Sequence, residues 1–139
     1  MSEDTKWKDE DTRALLHHLI DRKAEAGDGV NFPNRIWSDA VQKVQAVTTG
    51  GGAKTAKSCK GKWKRLRDTY KLVEKLMSQS GFHWDPKTGA SIDAKSESVW
   101  QTFCKVSHKN KGAQRFRNKG WDFYDLMKEL MPVKVKGTH

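Results

Sequence analysis

The stretch TTGGGAKTAKSCKGKWKRLRDTYK, residues 48–71, carries the composition of two different chemistries. A Gly-rich turn runs into Lys54 and Thr55, as in loops whose backbone amides wrap nucleotide phosphates. Lys57, Lys60, Lys62, Lys64, Arg65, Arg67 and Lys71 then crowd around Trp63, as in a helix laid against a polyanion. The spacing decides against the nucleotide. A phosphate loop needs Gly directly before its Lys and another Gly five residues earlier. Here Ala53 precedes Lys54, position 48 is Thr, and the preceding segment reads as helix rather than strand.

Other reactive residue types are not spaced for catalysis or metal binding. His17 and His18 are adjacent, so on a helix they point about 100° apart and cannot share an ion. His83, His108 and His139 have no Cys or carboxylate at ligand spacing. Cys59 and Cys104 fall on apolar faces, where Cys usually acts as a small core residue. No nucleophile sits beside a base. The expectation is a non-enzymatic chain without metal or cofactor.

The basic run has geometry. With Trp63 at 0° and about 100° per residue, Cys59, Leu66, Tyr70, Val73 and Met77 lie between about −80° and 0°. Lys57, Lys60, Lys64, Arg67 and Lys71 lie at about 40° to 120°, with Lys62 and Arg65 on the other flank. A solvated helix face usually mixes signs for i,i+4 pairing; here only Asp68 interrupts the basic run before Glu74. Such a helix fits the major groove of duplex DNA, where Lys and Arg reach guanine edges or neutralise phosphates. Lys54 and Thr55, at the end of the Gly-rich turn, are expected to present the helix start to a backbone phosphate.

Five helices must position this face. Leu15, Leu16, Leu19 and Ile20 predict helix one over 9–26, ended by Gly27 and Gly29. Ile36, Trp37, Ala40, Val41 and Val44 predict helix two over 35–47, capped by Asn34. Helix three spans about 55–79 with Thr55 as cap. Val99, Trp100, Phe103 and Cys104 mark helix four over 95–108. Phe123, Tyr124, Met127 and Leu130 mark helix five over 121–131. Residues 80–91 read as a turn-rich connection and 109–120 as a basic loop. Strand alternation is absent, so the fold class is all-α.

Charge is unevenly spread along the 139 residues. Residues 1–50 carry 7 basic and 9 acidic side chains, 51–79 carry 9 and 2, and 80–139 carry 11 and 6, for a formal net charge of +10. The excess begins at the Gly-rich turn, as expected of a polyanion binder. No apolar run approaches the roughly 20 residues that span a bilayer, so no membrane partner is expected. The polar start MSEDTKWKDED is unlike a signal peptide, and two Cys point to a reducing, intracellular compartment.

Trp7, Trp37 and Trp63, one per successive helix, together with CKGKWKRLRDTYKLV, SGFHWD, Trp100 and FRNKGWDFYDLMKEL, resemble the Myb/SANT family. The Trp spacings resemble its expanded plant and fungal members, including Harbinger-transposon-associated and trihelix proteins. The resemblance covers roughly residues 7–131. It implies a single domain, with a three-helix helix-turn-helix core over 7–79 and a two-helix extension over 92–131 packed on it. Residues 132–139 are expected to form a flexible tail. The resemblance further implies a nuclear, duplex-DNA-binding module linked to transcription regulation or transposition. Its third helix would read DNA through Lys57, Ser58, Lys60, Gly61, Lys62, Lys64 and Arg65. Secondary phosphate contacts are expected from Lys109, Lys111, Arg115, Arg117 and Lys119. The alternative is a SANT-type adaptor for a transposase or chromatin protein, with only non-specific DNA affinity.

Overall fold

Apolar side chains at helical spacing produce helices close to where the periodicity puts them. The computed structural model describes residues 6–27 and 30–132, apart from the side chains of His108, Lys109 and Lys111. Among these are five α-helices: α1 (Asp9–Asp21), α2 (Asn34–Gln45), α3 (Ala56–Met77), α4 (Glu97–Val106) and α5 (Tyr124–Leu130). 3-10 segments at Lys23–Glu25 and His108–Phe116 lie between helices. The extended pairing seen among the described residues is isolated bridges, Gly27 with Asn31 and Asp85 with Gly89. The chain is all-α. Gly29 and the expected tail at 133–139 lie outside the described residues.

Several boundaries differ from the periodicity for local reasons. α1 stops at Asp21 and the chain tightens into the 3-10 turn, where Arg22 pairs with Glu25 at 2.6 Å. α2 is preceded by Pro33, and the expected Asn34 cap is instead its first residue. α4 starts at Glu97 because Asp93 Oδ1 accepts from the Lys95 and Ser96 amides at 3.0 Å each, holding the preceding turn outside the helix. The expected basic loop over 109–120 is 3-10 helix as far as Phe116.

The chain forms two compact units. One contains the residues up to Arg65 together with those from Asp125 onward; the other is Leu66–Tyr124. The division runs inside α3, and most of α5 joins the first unit instead of a C-terminal extension over 92–131.

In the first unit Leu15, Leu16 and Leu19 of α1, Ile36, Trp37, Ala40 and Val44 of α2, and Cys59 and Trp63 of α3 are buried. Met127 and Leu130 of α5 are buried too. Each large side chain buried here contributes roughly 1.5–3 kcal/mol relative to exposure. Phe32 links two helices: its ring meets Trp37 and Trp63 edge-on, at centroid distances of 5.8 and 6.1 Å. The indole N–H of Trp37 donates to the Phe32 carbonyl and that of Trp63 to the Val30 carbonyl. Buried His18 places Nε2 3.0 Å from the Ile36 carbonyl, tying α1 to α2.

In the second unit Leu72, Val73 and Leu76 of α3 pack with Ala90, Ile92, Trp100, Phe103, Ala113 and Phe116. Leu72 and Leu76 lie outside the expected stripe, whereas Met77, inside it, is 42% exposed. Val99, expected on the buried face of α4, is also exposed. Buried Asn110 accepts from Lys75 Nζ and donates to the Phe103 carbonyl, both at 2.8 Å. Tyr70 stacks on Tyr124, whose hydroxyl donates to Glu74 at 2.7 Å.

Candidate nucleic-acid interface

The start of α3 is fixed by its own side chains. Thr55 Oγ1 accepts from the Ser58 amide at 3.0 Å, and Ser58 Oγ accepts from the Thr55 amide at 2.7 Å. This reciprocal cap satisfies two amides at a helix end. Ser58 Oγ also donates to the Thr55 carbonyl at 2.9 Å. Ser58, expected to contact DNA, is therefore committed to the cap. Thr55 is exposed, and its hydroxyl accepts in the cap while keeping a proton to donate.

The expectation for Lys54 is corrected. Its side chain is fully enclosed, with Nζ 3.4 Å from Asp11 Oδ2, whose side chain is equally buried. Nζ also donates to the Gly52 carbonyl at 3.2 Å and lies 5.4 Å from the centre of the Trp7 ring. An ammonium so enclosed has no path to a phosphate. Burial, the largest influence on the Asp11 carboxyl, would raise its pKa. The Lys8 amide, the Thr48 hydroxyl and Lys54 outweigh it and hold the pKa below the ordinary value.

The Gly-rich turn closes this arrangement. The Lys6 amide donates to the Gly51 carbonyl at 3.0 Å, and Lys8 Nζ donates to Thr49 Oγ1, which donates to Glu10. Gly51 has φ +83°, and a Cβ there would stand 2.6 Å from the Lys6 carbonyl oxygen. The turn is thus docked on the segment before α1 and is not held out toward a ligand. Trp7 is half-buried, with Lys62 Nζ 5.9 Å from its ring centre as a second cation.

Beyond the cap, α3 turns a cationic face outward. Cys59 and Trp63 are buried, at 0% and 2% exposure, while Lys57, Lys60, Lys64 and Arg65 are exposed. Burial raises the Cys59 thiol to about 11, so it stays protonated at neutral pH as an apolar core group. Gly61 lies in mid-helix among these cations, at intermediate exposure. Its lack of a side chain costs about 1 kcal/mol of helix propensity against Ala. In the second unit, on the same helix, Lys71 is exposed and Arg67 half-buried.

The secondary set is largely committed within its own unit. Arg115 donates to Thr69 Oγ1 at 2.9 Å and rests over the Phe116 ring. Arg117 pairs with Glu97, and Lys119 is exposed. The side chains of Lys109 and Lys111 lie outside the described residues.

Asp11 as the partner of Lys54 and Trp7 as a cation platform had no local sequence signal. The contacts that build them span the chain, as Lys8 to Thr49 does over 41 positions. Among the described residues no group of three or more His, Cys, Asp or Glu could hold a metal ion, and no helix is long and apolar enough to cross a membrane.

An all-helical unit with an aromatic core and one cationic helix face is compatible with a helical DNA-binding domain. The family model for the Myb/SANT-like DNA-binding domain matches residues 6–103, and the chain belongs to that family. No curated protein and no solved structure matches it.

Proposed function

We propose that this chain recognises duplex DNA sequence-specifically, without catalysis, by laying the first half of α3 in the major groove. The reading places it in the nucleus, in transcription regulation or transposition. The observation that carries it is the sign of one helix face. Between Ala56 and Arg65 the exposed charged residues are Lys57, Lys60, Lys64 and Arg65, with no acid in that stretch, and the opposite side of the helix is anchored by Cys59 and Trp63. An α-helix fits the major groove, and Lys or Arg on its outer face reaches guanine O6 and N7. Selection from a random duplex library, followed by anisotropy titrations across salt, tests it. An enriched motif bound with a steep salt dependence is expected, because phosphate contacts release counterions. Binding that is uniform over sequence would refute specificity, and no binding at low salt would refute the DNA reading.

A second reading, a protein-binding adaptor, draws on the second unit. There Val99 and Val106, 40% and 71% exposed, border a groove of about 520 Å³ with Lys75, Thr102 and Phe103. Pull-down with nuclease treatment separates the readings: a partner retained without DNA supports the adaptor.

A further inference from the structure

We infer that Gly61 is the point of closest approach between the α3 backbone and a base-pair edge, so that its missing side chain is itself a specificity element. The inference rests on the DNA reading above.

A glycine inside a helix usually has an internal reason: a left-handed backbone, a kink, or a neighbour too close for a Cβ. Gly61 has neither the first nor the last of these. α3 runs unbroken from Ala56 to Met77, and Gly61 is not among the positive-φ residues. A Cβ built on it meets one atom within 4 Å, a terminal guanidinium nitrogen of Arg65 at 3.7 Å, an ordinary contact with the end of a flexible side chain. Ala would therefore fit, and Ala is the better helix former. Within the free chain the glycine is a defect without a purpose.

Its position supplies one. At 100° per residue Gly61 falls about 160° from Trp63, nearly opposite the buried side of the helix. Residues three and four apart share a helix face. Lys57 lies four before Gly61, Lys64 three after and Arg65 four after, and all three are exposed. The outermost line of the helix at Gly61 thus carries no side chain of its own and is rimmed by cations, with only the flexible end of Arg65 lying near it. When the rim engages phosphates and guanines, the backbone between them meets the floor of the groove. A methyl there would hold the helix off the base edges.

The test is Gly61→Ala, measured for thermal unfolding and for binding to the selected site and to a random duplex, with Lys60→Glu/Lys64→Glu as the control. The expected result is a thermal midpoint higher by a few degrees. Affinity for the selected site should fall by roughly tenfold or more, with little change for the random duplex. Unchanged specific affinity would overturn the inference. So would a lowered midpoint, which would put the reason for the glycine inside the fold. The control separates the two levels. If the charge reversals weaken binding and Gly61→Ala does not, the glycine inference alone fails. If neither weakens it, the placement of DNA on α3 fails as well.

Discussion

Replacing Lys54 by Met removes a cation that the sequence places in a phosphate-facing turn and the structure places in the interior. At 3.4 Å, with both side chains at 0% exposure, the attraction to Asp11 is about 5 kcal/mol at an effective dielectric of about 20. Desolvation of both groups offsets much of this, so the intact pair contributes little net stability. Breaking it is different. Met leaves the Asp11 carboxylate buried with the Lys8 amide and the Thr48 hydroxyl but no counter-charge, and buried charges that lose their partner cost about 3–5 kcal/mol. Against a total stability of about 5–15 kcal/mol for an ordinary domain, that loss is large. Urea unfolding followed by Trp fluorescence should show the midpoint falling sharply at unchanged slope. Asp11→Leu in the same chain should restore most of the loss, because two apolar groups need no counter-charge. DNA titrations at a concentration where the variant is folded should show an unaltered salt slope. A Lys54→Met chain with wild-type stability and a salt slope lower by about one would refute this reasoning and return Lys54 to the interface.

Lys60→Glu/Lys64→Glu should weaken duplex binding and flatten its salt dependence, by anisotropy, while shifting stability by no more than about 0.5 kcal/mol per site. Gly51→Ala should destabilise by about 1 kcal/mol or more, since it puts a methyl 2.6 Å from the Lys6 carbonyl at φ +83°; thermal unfolding checks it. Asp11 titrates below its ordinary value of 3.8. Its contribution to stability is therefore complete above that value and lost as pH falls through the lowered folded value. A midpoint that stays constant as the pH is lowered through and below 3.8 would count against it.

The cationic face was legible because it depends only on helical phase. Once Trp63 points inward, the outward positions of Lys57, Lys60 and Lys64 follow. Lys54 was not legible, because charge pattern carries no information about a partner brought in by a turn closing on a distant segment. Phe32 stands alone in a Gly- and Pro-flanked stretch and offers no period to read. The 3-10 segment did leave a signal. Asn110, Ala113 and Phe116 are buried three residues apart, the repeat of a three-residue turn, although its basic composition suggested a loop. The change in buried positions late in α3 was hidden for another reason. A stripe drawn for one core cannot anticipate that Leu72 and Leu76 serve a second.

The docking of the Gly-rich turn on Lys6, with Trp7 beside the Lys54 ammonium, also bears on what the segment ahead of α1 does. A truncation drawn at the first helical residue, Asp9, would preserve every α-helix yet remove the indole facing the Lys54 ammonium and the amide bonded to Gly51. Water would then reach the buried ion pair, and the turn leading into α3 would lose an anchor. The three residues ahead of α1 are therefore a seal over the ion pair and an anchor for the turn.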